Sequence, residues 1–304
     1  MPGSAQHDGL FATDPEAVGA AAGPRRRKAR MAPLVARIIT GLLMLPVLWA
    51  TVMIVPARAF HAIVLAAIGI AGWECYGILD SRGARSFRWL GLLGCLVVVG
   101  SFTGIAALSD VRLALVLMGA LAPLLAMRRR DEPAALLEAV LKTVFPVVFV
   151  GLSLGYLVGI YEVPGGGGGR LLVFLYLCIV LGDTLAFCVG SAWGKRRMAP
   201  RLSPRKTWEG AVAGLAGGML GAILAHVWIL EGLSWVHTLT LGLLIGVAGI
   251  LGDLAASLLK RAYGVKDSSN LLPGHGGLLD RMDSQLFAAP LLYYYHTLLI
   301  LGNS

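Results

Sequence analysis

The sequence predicts an all-α polytopic integral membrane protein, with about nine transmembrane helices and its long polar loops on the cytoplasmic side. Three observations carry this. Hydrophobic residues make up 57% of the 304 residues and charged residues only 14%, against about 25% charged in a soluble domain. The mean hydropathy is +0.76. The apolar residues fall in runs of about 18 or more, the length that crosses a hydrocarbon core. So few charges cannot clothe a water-facing surface, which excludes a soluble enzyme and a disordered chain. The net charge of +9 would suggest nucleic acid in a soluble protein. Here the cations sit between apolar runs, so they report orientation and contact with anionic headgroups, and no nucleic-acid partner is expected.

Residues 1–30 are rich in Ala, Gly and Pro and end in Arg25, Arg26, Arg27, Lys28 and Arg30. They read as a disordered tail with a basic membrane anchor. A full-length apolar run follows, so no cleavable signal is expected. The candidate spans are 35–55, 59–79, 89–108, 111–127, 139–160, 171–190, 210–230, 236–256 and 284–301. Residues 31–170 form an N-terminal set of transmembrane helices and 171–304 a C-terminal catalytic transmembrane domain. With the N-terminus in the cytoplasm, all but Arg58, Arg112 and Arg170 of the 26 Lys and Arg fall inside. The positive-inside rule therefore places both long polar loops, 191–209 and 257–283, in the cytoplasm beside a cell inner membrane. Gly165–Gly169 lie in an outside loop and read as a flexible linker. Cys75, Cys95, Cys178 and Cys188 lie in apolar runs without CxxC spacing, so they read as small packing residues.

Polar residues inside spans are expensive and point to function. Three stand out: Glu74, Asp183 and Asp253. Glu74 is either a buried carboxylate paired with a loop Arg or part of the site. Asp183 needs a cation, a metal or water, and a structural pair is its alternative. In Ser203-Pro204-Arg205-Lys206-Thr207-Trp208-Glu209-Gly210, adjacent cations suit a polyphosphate, and Ser203 or Thr207 is placed to cap the next helix.

The densest segment runs from Gly252 to Asp283. Asp253 and Ser257 are four apart, and Asp280 and Asp283 three apart, so each pair shares a helix face. Three carboxylates and a hydroxyl are hard ligands suited to Mg²⁺. Lys260, Arg261, Lys266 and Arg281 accompany them. Gly274, Gly276 and Gly277 let backbone N–H groups approach an anion, and His275 between them reads as a substrate contact. Carboxylates, cations and a glycine turn together suit phosphoryl or nucleotidyl transfer.

The stretch Ser257–Asp283 resembles the C-terminal motif of the phosphatidate cytidylyltransferases, S-x-x-K-R-x4-K-D followed by H-G-G-x-x-D-R-x-D. Ser257, Lys260, Arg261, Lys266, Asp267, His275, Gly276, Gly277, Asp280, Arg281 and Asp283 fill every fixed position. Ser269 stands where many members have Gly. The 203–210 segment and Gly182-Asp183 also look like family blocks, and the resemblance covers roughly residues 35–304. It implies that CTP and phosphatidate give CDP-diacylglycerol and pyrophosphate. It further implies that Asp253, Asp280 and Asp283, with Ser257, hold Mg²⁺, beside a second cation such as K⁺. Lys260, Arg261, Lys266, Arg281, Arg205 and Lys206 would hold triphosphate or lipid phosphate. Asp183 would orient these cations, and Asp267 would contact nucleotide or pair with a cation. The alternatives are a CTP-dependent enzyme with another lipid acceptor, such as a polyprenol, and an ion-coupled transporter. The transporter is disfavoured because the polar residues gather at one face. Gly214, Gly217, Gly218, Gly221, Gly242, Gly246 and Gly249 permit close helix packing or, alternatively, a homodimer face.

Overall fold

A computed structural model describes Pro46 and residues 49–104, 110–230, 232–269, 271 and 276–301. The basic tail, most of the first candidate span, and His275 lie outside the described residues. Residues 44–304 form one compact unit. In chain order its helices are α1 (Ala57–Leu79), α2 (Arg88–Gly100), α3 (Val111–Ala126), α4 (Pro133–Pro146), α5 (Ser153–Tyr161), α6 (Gly168–Trp193), α7 (Trp208–Trp228), α8 (Trp235–Ala262), α9 (Leu279–Met282) and α10 (Gln285–Tyr295).

Five helical segments among the described residues are long and apolar enough to cross a bilayer: α1, α4 with α5 (Pro133–Tyr161), α6, α7 and α8. α2 and α3 are shorter apolar helices. Pro146 lacks the N–H that would continue the ladder, and a π-helical segment, Val147–Leu152, joins α4 to α5. Large apolar side chains such as Trp89, Met127, Leu113 and Val236 face outward, as a lipid-facing surface requires.

Two local expectations change. The 191–209 loop is not purely irregular: β1 (Arg197–Ala199) pairs antiparallel with β2 (Ser203–Thr207), Arg197 opposite Thr207 and Ala199 opposite Ser203. Thr207, not Ser203, caps α7, its Oγ1 accepting from Gly210 N at 3.1 Å. The pentaglycine is also more ordered than a linker. Gly165 and Gly166 take positive φ in a turn, and Gly168 and Gly169 open α6. The chain can reverse tightly there because glycine carries no Cβ. The four cysteines are free, and Cys75, Cys95 and Cys178 are buried, as packing residues should be.

The glycines of α7 and α8 are used inside the chain. A Cβ on Gly217 would lie 2.5 Å from the Leu181 carbonyl oxygen of α6, and one on Gly221 the same distance from that of Leu177. Gly218 and Gly242 bring α7 against α8, where a Cβ on either would meet the other's carbonyl oxygen at 2.9–3.1 Å. Gly246 lies against Leu215 and Gly249 against Ser284. Such backbone approach is how helices gain packing where lipid offers no hydrophobic drive. Gly217→Val should therefore force α6 and α7 apart and cost roughly 1–3 kcal/mol. A lowered Tm of the variant in detergent is the expected result, and an unchanged Tm would refute this contact.

Candidate active site

The polar residues singled out in the sequence come together where α6, the β1–β2 hairpin, α8 and α9 meet. Gly252 makes this possible. A Cβ there would collide with the Asp283 carbonyl oxygen, so glycine lets α8 press against the α9–α10 junction and sets Asp253 beside Asp283. From the hairpin, Lys206 reaches Asp253, Nζ to Oδ2 2.6 Å. One turn on, Ser257 Oγ donates to Asp253 Oδ1 at 3.3 Å. Asp183 on α6 interacts electrostatically with Asp253, Lys206, Arg281 and Ser284. Burial pushes the Asp283 carboxyl up to about 8, and the Asp253 and Asp183 carboxylates add to the rise against the opposing pull of Lys260. Three carboxyl groups thus crowd one place, one of them paired with Lys206.

Asp280 is arranged differently. Its Oδ1 pairs with Lys260 Nζ at 2.5 Å. Its Oδ2 accepts from Ser268 N at 2.8 Å, Ser268 Oγ at 3.0 Å and Gly277 N at 3.0 Å. Burial opposes ionisation, but Lys260 and the backbone donors outweigh it and hold this carboxyl below the usual range. Gly276 has φ +76°, and a Cβ on it would stand 2.8 Å from Asp280 Oδ2. The glycines here let the turn wrap the carboxylate.

The four residues read as metal ligands are therefore not gathered into one cluster. Among the described residues no three His, Cys, Asp or Glu side chains converge on a metal position, because Lys260 and the turn draw Asp280 to themselves. The donor chemistry still fits a hard cation: Asp253 and Asp283 carboxylates under mutual repulsion, the Ser257 hydroxyl, and Asp280 Oδ1 with one lone pair unused.

Arg261 serves the hairpin, its Nε donating to Leu202 O at 3.2 Å and one terminal nitrogen to Val265 O at 3.1 Å. Glu209 accepts from the backbone N–H of Lys195 and Arg196. These bonds fix the hairpin that carries Lys206. Arg205, Lys266, Asp267 and Arg281 are exposed around the site, and Ser203 lies in β2 as a half-buried strand residue.

Glu74 resolves an alternative the sequence left open. Among the described residues its partners are hydroxyls and backbone N–H groups, not arginines. Its Oε1 accepts from Ser269 Oγ at 2.6 Å and Leu278 N at 3.0 Å. Its Oε2 accepts from Leu279 N at 2.8 Å and shares the single Ser268 hydroxyl hydrogen, 3.0 Å away, with Asp280 Oδ2. Three donors and a shared hydroxyl thus surround one carboxylate, and α1 thereby holds the segment that carries Gly276 and Gly277. Sequence reading missed Ser268, Ser269 and Ser284. Ser269 stood out only as a departure from glycine, and its hydroxyl is one of the donors to Glu74.

Bundled apolar helices with carboxylates and cations gathered at one polar site beside a hairpin and a glycine turn define a helical membrane protein with a polar candidate site. The chain belongs to the cytidylyltransferase family, whose sequence profile matches residues 35–299. It is 45% identical over 134 residues to a phosphatidate cytidylyltransferase of Synechocystis, covering 44% of this chain and 45% of that protein. It is 39% identical over 149 residues to the phosphatidate cytidylyltransferase of Bacillus subtilis, covering 48% and 54%. A chloroplastic phosphatidate cytidylyltransferase of Arabidopsis thaliana is 42% identical over 132 residues, covering 42% and 32%. The matched stretch thus spans about half or less of each of these relatives.

Proposed function

We propose that the protein transfers the cytidylyl group of CTP to phosphatidate, giving CDP-diacylglycerol and pyrophosphate. The observation that carries the reading is the Lys206–Asp253 contact, which joins a polyphosphate-type cation to the motif carboxylates. A phosphatidate oxygen attacks the α-phosphorus of CTP, the bond to the β-phosphate oxygen breaks, and pyrophosphate leaves with the electron pair. The acceptor is a phosphomonoester, already anionic at neutral pH, so no strong base is needed. The need is to gather anions and neutralise charge. Arg205, Lys206, Lys266 and Arg281 surround the site and supply cations to the triphosphate and the lipid phosphate. Lys260, held by Asp280, presents one more at a fixed point, and Arg261 keeps the hairpin in register. Gly276 and Gly277 lie in a turn that would face the nucleotide, and His275 precedes them in the sequence.

Asp253, Asp283 and Ser257, with the remaining lone pair of Asp280 Oδ1, would hold Mg²⁺. Bound there, Mg²⁺ neutralises phosphate oxygens and stabilises the leaving pyrophosphate. No residue is assigned to a second cation such as K⁺. The charge asymmetry of the loops supports a cytoplasmic site and a cytoplasmic N-terminus at an inner membrane.

The test is pyrophosphate release by purified protein in detergent, with phosphatidate present or absent and Mg²⁺ present or chelated. Release that requires both is expected. Consumption of CTP with a polyprenol but not with phosphatidate would reassign the acceptor.

A further inference from the structure

We propose that a groove separate from the catalytic carboxylates binds the phosphate-bearing headgroup of an anionic phospholipid. The groove, about 720 Å³, lies where the end of α1, the 80–87 turn, the first turn of α2 and the last turn of α3 meet. Neither Asp253 nor Asp283 lines it.

Its charge is one-sided. Arg85, Arg88 and Arg129 line it, and Asp80 is its one acid. Asp80 is already engaged, accepting from the backbone N–H of Ser86 at 2.8 Å, from Ser86 Oγ at 3.1 Å and from Arg88 at 3.4 Å. Two guanidinium groups are held in place rather than free in solvent. Arg88 lies over the Trp73 ring, 4.5 Å from its centroid. Arg129 lies over Phe87 at 4.0 Å and donates to the Arg85 carbonyl at 2.7 Å. A guanidinium fixed by stacking loses little freedom on meeting phosphate and offers a fork of donors.

The other wall is apolar. Trp89, 75% exposed, stands with Leu90 and Leu125 beside the cations. An indole next to arginines at a helix end matches the level where headgroup meets acyl chain. The first turn of α2 also faces the groove, and its N-cap residue, Phe87, supplies no side-chain cap. An anion seated there adds to the arginine contacts by meeting those N–H groups. An ordinary positive loop accounts for the charges, but not for two stacked guanidiniums beside a hydrophobic wall. The same turn touches the motif loop: the Arg82 guanidinium lies against Gly264, and Lys142 donates to the Arg82 and Ala84 carbonyls. The groove stands next to the site without sharing its carboxylates.

The inference is tested by binding, so it stands or falls separately from the cytidylyltransferase reading. Full-length protein in neutral detergent is titrated with phosphatidate, phosphatidylglycerol or inorganic phosphate, and adducts are counted by native mass spectrometry. The variant is Arg85→Gln/Arg129→Gln, which spares the Asp80–Arg88 pair. The control is Arg112→Gln/Arg170→Gln, which removes the same charge from two exposed positions that do not line the groove. The groove variant should bind both lipids at least about tenfold more weakly, with the control unchanged. Weakening for phosphatidate alone would also support the site and mark it as a station for the substrate. Equal binding by the groove variant and wild type, or equal weakening in the control, would overturn the proposal. Charge-dependent binding of inorganic phosphate without either lipid would make the occupant a soluble anion and overturn it as well.

Discussion

Asp283→Asn should reduce pyrophosphate release by about 10³-fold or more, the scale of losing a main charge-stabilising group, while leaving the protein folded. Asn keeps the shape of Asp but cannot ionise to hold a cation. The raised pKa gives the sign of the stability effect. An acid whose pKa rises from 3.8 to about 8 on folding loses stability as pH climbs through that interval, because the folded state must surrender a proton it prefers to keep. Without divalent cation, wild-type Tm should therefore fall between about pH 5 and pH 8. The Asn variant should lose that slope and be at least as stable as wild type at pH 8. Added Mg²⁺ should raise the Tm of wild type and not of the variant. Wild-type turnover in Asp283→Asn, or an equal Mg²⁺ shift in both proteins, would sink the metal assignment.

Glu74→Gln should lower turnover by about 10²-fold or more without touching any group that meets substrate. The carboxylate faces two serine hydroxyls, one of them shared with Asp280, and two backbone N–H groups, and Glu74 is 5% exposed. An amide has one acceptor oxygen, and its NH2 would face one serine hydroxyl, which can turn to accept, and one backbone N–H, which cannot. Each buried donor left unsatisfied costs about 1–3 kcal/mol, so the cheapest response is for the 268–279 segment to come away from α1. Asp280 would then lose its bonds from Ser268 and Gly277, and Lys260 its fixed partner. A positioning role predicts a split: kcat falls and protease nicks the loop, while saturating CTP restores part of the protection. Asp at this position is shorter by one methylene and should rescue little. Wild-type kcat in Glu74→Gln would show that these bonds do not hold the site together.

The helical membrane class, most helix positions and the polar blocks were legible in the sequence because apolar run length and charge placement are local properties. The approach of Asp253 to Asp283 was less so. It depends on Gly252 meeting a backbone carbonyl from another segment, a contact with no spacing signature. Asp280 was read as a metal ligand because its three-residue spacing from Asp283 suggested one shared face. The structure turns it toward Lys260 and Ser268, since a glycine at positive φ folds the intervening turn around its carboxylate. Glu74 was visible as an acid within an apolar run, but its partners were not: two are backbone N–H groups, which no residue type announces. The hairpin was missed because strands of three and five residues, with Pro200 between them and Pro204 inside the second, leave little alternating pattern.

The bonds from Glu74 span 194 to 205 positions of chain. At about 5–20 residues per second, α1 leaves the ribosome roughly 10–40 s before its partners are made. Through that interval an acidic side chain resides within a newly inserted helix with none of the donors that later surround it. The nascent chain must therefore shelter it, as the neutral acid or beside water, until the last segment arrives. Completion of the candidate site is thereby tied to the synthesis of residues 268–279, and a chain stopped short of Leu279 would be inserted but unable to close its own site.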